Sequence, residues 1–153
     1  MPDDDVISLL ARACERLVGS VFDALDEAGA PELGTTQALA IRMLDHGPLT
    51  ARALGTALGI TPQAAGRISA DLEEQGLAER RRDPRDARAR PLALTRAGEH
   101  IAAAMRSAED RATEQWRAAA GAADSAATAR ALRAYLVATE PPRTPQPRRM
   151  RFS

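Results

Sequence analysis

Apolar residues recur every three or four positions over most of the chain, which is the period of one face of an α-helix. The first such face runs from Val6 to Ala28 and ends at Gly29. A second helix is expected to begin at an N-cap, Thr35 or Thr36, and to end before Gly47. The pattern therefore predicts a helical N-terminal third.

Two shorter helices follow, separated by a tight turn. Thr50 is a plausible N-cap for the first of them, and Gly59 suits the left-handed residue that ends it. Thr61 caps the next helix, and Pro62 occupies its first turn, where the missing N–H costs nothing. Gly76 ends that helix. This spacing predicts a helix-turn-helix.

After Gly76, the helical spacing of apolar residues gives way over a short stretch to a pattern typical of strands. Residues Leu77 to Arg82 and Pro91 to Leu94 read as two short strands joined by an arginine-rich loop, which predicts a β-hairpin. Thr95 is expected to cap a long helix, and Gly121 interrupts it before a last helical segment. The chain is thus predicted to be mainly α with one small hairpin.

Composition excludes several classes of protein. The 153 residues carry 21 acidic and 21 basic side chains, so a uniformly basic nucleic-acid coat is not expected, although local basic patches remain open. Cys14 is the single cysteine, and His46 and His100 are far apart in sequence, so neither an intrachain disulfide nor a zinc site is expected. An acidic N-terminus and the absence of a long apolar run predict a cytoplasmic protein without a membrane segment. We find no nucleophile–base pair and no phosphate-binding glycine loop, so neither an enzyme nor a cofactor is expected.

One stretch, from Asp71 to Gly98, carries a specific resemblance. It contains a Leu-Glu-x-x-Gly-Leu helix end, an Asp-x-x-Asp-x-Arg loop and a Leu-Thr-x-x-Gly start of a helix. From about Val6 to Val137 the chain resembles the MarR family of winged helix-turn-helix transcriptional regulators. The matching positions are Leu72, Glu73, Gly76, Leu77, Asp83, Asp86, Arg88, Leu94, Thr95 and Gly98.

The resemblance implies a winged helix-turn-helix lobe plus a helical dimerisation lobe within a single domain over residues 1–140. The DNA-binding lobe would cover residues 35–95, and the dimerisation helices would cover residues 3–30 and 96–139. Residues 141–153 are rich in proline and arginine and are expected to form a disordered tail. Double-stranded DNA with an inverted-repeat operator and a second copy of the chain are the implied partners.

In the wing, Arg88 stands where the family places the arginine that enters the minor groove, and Asp86 is expected to hold it extended. Arg85 and Arg90 flank it and are expected to contact phosphates. The run Arg80 to Arg82 has two interpretations, phosphate contact or a solvated strand face.

In the recognition helix, the residues expected to face DNA are Thr61, Gln63, Ala64 and Arg67. Gln63 suits adenine, Arg67 suits guanine or a phosphate, and Ala64 suits a thymine methyl group. Two positions depart from the family pattern, because Gly66 replaces a hydroxyl or larger residue and Asp71 replaces a frequent basic one.

The implied function is that of a dimeric, sequence-specific repressor. Release from DNA by a small anionic or aromatic ligand is a further property of many members. A ligand pocket would be lined by residues that ordinary core or interface packing explains equally well: Leu17, Val21, Met43, His46, Met105 and Arg106.

Two alternatives stay open. The balanced charge, Gly66 and Asp71 fit a winged-helix protein-interaction module without DNA binding. One branch of the family senses organic hydroperoxides through a cysteine in the first helix, which is where Cys14 lies. Because Glu15 adjoins Cys14 and the chain's one tyrosine lies at Tyr135, we favour a buried, unreactive Cys14.

Overall fold

The computed structural model describes residues 5–83, 86 and 89–139, and it is mainly helical with one small antiparallel hairpin, as predicted. None of the helices in these residues is long and apolar enough to cross a membrane. The tail predicted over residues 141–153 lies outside the described residues. The elements, in chain order, are α1 (Val6–Glu27), α2 (Thr35–Asp45), α3 (Ala51–Leu58), α4 (Pro62–Glu74), β1 (Ala78–Arg80), β2 (Leu92–Leu94) and α5 (Arg96–Thr139).

Side chains cap the helix starts at several of the predicted positions. Thr50 Oγ1 accepts a hydrogen bond from the Ala53 N–H at 3.2 Å, and Thr61 Oγ1 accepts from the Ala64 N–H at 3.2 Å. Each bond satisfies one backbone donor that a helix start leaves free. Gly59 ends α3 with a φ of 67°, the left-handed conformation expected there.

The predicted cap of α2 is wrong. Gly34 is the N-cap, in extended conformation with φ −77° and ψ 159°, and Thr35 and Thr36 already lie in the helix. Glycine offers no side-chain acceptor to the helix start, but the Gln37 Oε1 accepts a hydrogen bond from the Gly34 N–H at 2.8 Å. A glutamine three residues after the cap supplies this reciprocal bond.

The hairpin pairs Ala78 with Leu94 and Arg80 with Leu92, so its strands are shorter than predicted. The reason lies at Pro91, which has no N–H to donate, although its carbonyl still accepts from the Arg81 N–H at 2.9 Å. Leu49 forms an isolated antiparallel bridge with Leu92, with N···O distances of 3.0 and 2.8 Å. That third strand position was not predicted, because an isolated residue carries no alternation.

The core lies in the compact unit Met1–Ala112, and every buried apolar side chain of the described residues falls between positions 24 and 108. Helix α4 packs on α3 across Gly55, where an added Cβ would lie 3.1 Å from the Ile60 carbonyl oxygen. The added Cβ would also lie 3.3 Å from Ala65 Cβ of α4, so this crossing favours glycine over a larger residue. The largest fully buried apolar side chains are Leu25, Ile41, Leu54, Leu72 and Leu92.

Helix α1 packs against this core through its C-terminal part, where Leu25 is buried and Val21 and Phe22 are half-buried. The expectation that Cys14 is buried is wrong for the single chain, since its side chain is exposed. Cys14 lies in the first 18 residues of the helix, Val6–Asp23, and none of these residues is buried. Helical spacing places Cys14 on the same face as Leu25.

The second unit is Thr113–Ser153, and its described part, residues 113–139, is helical. Gly121 interrupts the helix with φ 80° and ψ 162°, as predicted. None of these described residues is buried. The large apolar side chains exposed here are Trp116, Leu132, Tyr135, Leu136 and Val137.

Candidate nucleic-acid interface

Helix α4 has one buried and one exposed face. Ala65, Ser69 and Leu72 are fully buried, and the Ser69 hydroxyl satisfies its hydrogen-bonding capacity by donating to the Ala65 carbonyl at 2.7 Å. Gln63 and Arg67 lie one turn apart on the exposed face. The buried face therefore packs α4 against the rest of the protein, while the exposed face remains accessible to a ligand.

The residues predicted to face DNA come together at the N-terminal end of α4. Gln63 and Arg67 are exposed, and the described part of the chain provides no hydrogen bond or ion pair to either side chain. Ala64 is half-buried, and Thr61 is exposed but already engaged as the N-cap. Two polar side chains thus project from a helix whose opposite face is buried.

The two departures from the family pattern lie further along the same helix. Gly66 has no heavy atom within 4 Å of an added Cβ, so its lack of a side chain opens space on the helix surface. Asp71 and Glu74 are exposed in the C-terminal half. Because acidic groups repel phosphates, only the N-terminal half of α4 is suited to approach a polyanion.

Part of the wing is described. Asp86 and Arg90 are exposed, and the Ala89 N–H donates to the Asp86 carbonyl at 3.0 Å. Arg85 and Arg88 lie outside the described residues, and so does the expected pairing of Asp86 with Arg88.

The arginine run at the base of the wing divides into three different environments. Arg80 Nε lies 3.2 Å from Glu73 Oε2 of α4. Arg81 Nε lies 2.9 Å from Glu79 Oε1, and its Nη2 donates to the Leu94 carbonyl at 3.2 Å. Arg82 is exposed without a recorded partner among the described residues. Of the two interpretations considered for this run, phosphate contact suits Arg82 best.

Two ion pairs that sequence reasoning missed join α2 to α5. Arg106 pairs with Asp45, whose hydrogen bond and negative charge raise the pKa of the guanidinium. Arg42 Nη1 lies 3.3 Å from Glu109 Oε1. The signal was present, because each helix carries opposite charges three residues apart, a spacing that puts them on one face.

The six candidate pocket residues differ in their exposure to solvent. Met105 is buried, Val21 and Met43 are half-buried, and Leu17 and His46 are exposed. A cleft of about 400 Å³ includes only Arg106 among them. Its lining consists of Leu44, Asp45, Gly47, Pro48, Arg81, Ala93, Leu94, Glu99 and Arg106. Within the described residues, no three His, Cys, Asp or Glu side chains gather as a metal site would require.

The sequence was compared with models of protein families and with curated protein sequences. The sequence profile of the MarR family matches residues 32–89, which run from just before α2 into the wing. No curated protein sequence matches the chain significantly.

Solved structures share the fold along most of the chain. Rv1404 from Mycobacterium tuberculosis is 23% identical, with a TM-score of 0.70 over 90% of this chain and 97% of that one. The S. aureus MepR–DNA complex is 23% identical, with a TM-score of 0.55 over 72% and 90% of the two chains. CouR from Rhodococcus jostii RHA1, bound to p-coumaroyl-CoA, is 23% identical, with a TM-score of 0.65 over 91% and 95%.

Proposed function

We propose that this chain is a dimeric, sequence-specific DNA-binding repressor of the MarR family that acts in the cytoplasm, since the MarR family profile matches residues 32–89. The family match supports a DNA-binding transcriptional regulator and gives no reason to expect catalysis. The observation that carries the proposal is the N-terminal half of α4, where Gln63 and Arg67 project from a helix whose opposite face is fully buried.

In the proposed complex, the start of α4 lies in the major groove. Gln63 can form two hydrogen bonds with adenine, and Arg67 can form two with guanine or contact a phosphate. Half-buried Ala64 offers a methyl contact to thymine. Thr61 would act mainly by fixing the helix start, since its hydroxyl oxygen already accepts from the Ala64 N–H.

The wing would lie in the adjacent minor groove. Arg88 is proposed to enter the groove, where narrow A·T-rich sequence concentrates negative potential. Asp86 would orient Arg88, while Arg85 and Arg90 would contact phosphates. The exposed positions of Asp86 and Arg90 support this part of the proposal.

A second copy of the chain completes the proposed regulator. Helix α1 exposes large apolar side chains over its first half, and residues 113–139 expose five more. Large exposed apolar patches on a protein indicate a binding partner. A two-fold dimer would present two α4 helices about one DNA turn, ~34 Å, apart and would read an inverted repeat.

Release by a small anionic or aromatic ligand is a further part of the proposal. It rests on the solved relative that holds p-coumaroyl-CoA. The candidate pocket residues remain Leu17, Val21, Met43, His46, Met105 and Arg106.

A protein-interaction module without DNA binding is the second candidate. Asp71 and Glu74 favour it, because they give the C-terminal half of α4 an acidic surface. Such a module would bind duplex DNA weakly and without sequence preference.

Two variants test the proposed contacts on the preferred DNA site at several salt concentrations. Arg88→Ala should weaken binding by roughly 1–3 kcal/mol per site and lower the salt dependence by about one charge per subunit. Gln63→Ala should relax the preference at one base pair per half-site with little change in salt dependence. An Arg88→Ala protein that binds like the parent on A·T-rich and G·C-rich flanks alike would disprove the minor-groove contact.

A further inference from the structure

The recognition helix and the wing are joined by a single sharp turn. Gly76 makes that turn with a φ of 70°, between the end of α4 and the start of β1. The Leu77 N–H donates to the Leu72 carbonyl at 2.9 Å, so the backbone closes the turn on its inner side. Glu73 and Arg80 form an ion pair across the same turn.

The contact between these two side chains is well formed. Arg80 Nε donates to Glu73 Oε2 at 3.2 Å, and the two side chains are 38% and 32% exposed. Glu73 belongs to the last two residues of α4, and Arg80 is the last residue of β1. The ion pair therefore spans seven residues and connects the helix to the strand directly.

We propose that Glu73 and Arg80 are positioning residues that fix the angle between α4 and the wing, so that both can enter adjacent grooves together. The inference rests on the proposed DNA-binding function. An exposed ion pair contributes little to global stability. Its effect on DNA binding can still be measurable, because a tilt of the wing about Gly76 would separate the major-groove contacts from the minor-groove contacts.

Under this proposal, the arginines at the base of the wing have different roles. Arg80 holds Glu73 and leaves phosphate contact to Arg82, which is exposed two residues further on. A phosphate-binding arginine releases counterions, so its removal lowers the salt dependence of binding. A positioning arginine does not, and the two roles give different results in the same experiment.

Glu73 provides the sharper test. If electrostatic repulsion alone mattered, the removal of a carboxylate from a DNA-binding surface should strengthen binding. If Glu73 positions the wing through Arg80, its removal should weaken binding instead. The two accounts therefore predict opposite signs for Glu73→Gln.

The experiment compares Glu73→Gln, Arg80→Gln and the double variant with Arg82→Gln as the matched control. Binding to the preferred duplex and to an unrelated duplex is titrated at several salt concentrations, and the Tm of each variant is measured to show that it is folded. Glu73→Gln and Arg80→Gln should each weaken specific binding about two- to fivefold per subunit with an unchanged salt slope, and the double variant should be no weaker than either. Arg82→Gln should lower the slope by about one charge per subunit on both duplexes.

The outcomes separate this inference from the proposed function. A parent protein that binds no duplex overturns both. If the parent binds, tighter binding by Glu73→Gln, or a salt slope for Arg80→Gln that falls as it does for Arg82→Gln, overturns the positioning role and leaves DNA binding intact.

Discussion

The winged-helix segment from α2 to β2 and the first half of α1 both contain large apolar residues. The segment buries such side chains, whereas the first half of α1 leaves them exposed to solvent. In the former, Leu54, Leu72 and Leu92 are at most 1% exposed, and threonines and glycines close the helix ends. In the latter, Val6 and Ile7 are 66% and 67% exposed. A segment that buries its own core can present a rigid surface to DNA, whereas an uncovered helix face needs a partner.

Core truncation should give the largest effect and the clearest contrast. Leu72→Ala removes a fully buried side chain and should cost about 2–5 kcal/mol of the free energy of unfolding at every protein concentration. Leu136→Ala, at a position 62% exposed, should act only through association, so its effect should depend on protein concentration. Chemical denaturation at two concentrations measures both. A concentration-independent loss of similar size for Leu136→Ala would remove the contrast.

Two glycines, Gly98 in the packed region and Gly66 on the open surface, should respond in opposite ways to substitution by alanine. An added Cβ at Gly98 would lie 2.0 Å from the Leu77 carbonyl oxygen, whereas at Gly66 it meets nothing within 4 Å. Gly98→Ala should therefore destabilise the fold by about 1–3 kcal/mol. Gly66→Ala should stabilise it by about 0.5–1 kcal/mol through helix propensity. Thermal unfolding of the two variants checks this, and equal Tm values would show that the packing at Gly98 is misassigned.

The uncovered face of α1 should respond to a charge. Leu17→Glu places a carboxylate on the exposed apolar face and should weaken dimerisation roughly tenfold or more, about 1.4 kcal/mol. Arg12→Glu is the control, because helical spacing puts Arg12 off that face. Sedimentation at micromolar concentration should show a dimer for the parent and the control. A dimer of undiminished stability in Leu17→Glu would show that this face is not the interface.

The smallest expected effect concerns pH at the start of α1. Asp5 is the N-cap of α1, and hydrogen bonds from the backbone and side chain of Ser8, and from the Ile7 N–H, lower its pKa below 3.8. Since the folded pKa is depressed, the stabilising contribution of the cap is present above pH 3.8 and is lost as the pH falls through the lower value. Circular dichroism between neutral and acid pH should show a slight loss of helicity that Asp5→Asn lacks. Identical profiles for the two proteins would argue against the cap.

Local chemistry made much of the fold predictable. Thr50, Gly59, Thr61 and Pro62 each have one structural role that sequence spacing reveals, and the structure confirms those helix boundaries. The cap of α2 was mistaken because the N-cap lies one residue earlier, at Gly34, where the Gln37 side chain accepts from the cap residue's own N–H.

Long-range contacts were harder to predict. The fate of Arg80 depends on the carboxylate of Glu73 across a turn, and composition alone cannot distinguish that pairing from phosphate contact. The exposure of Cys14 also escaped prediction, because periodicity identifies an apolar face without showing what covers it.

The central claim is that two copies of α4 read a defined DNA sequence. Selection of bound sequences from random duplex DNA, at a salt concentration that suppresses nonspecific binding, tests it most directly. The account predicts enrichment of an inverted repeat whose half-sites lie about one helical turn, ~34 Å, apart. Recovery of unenriched DNA, with binding that depends on salt but not on sequence, would contradict it.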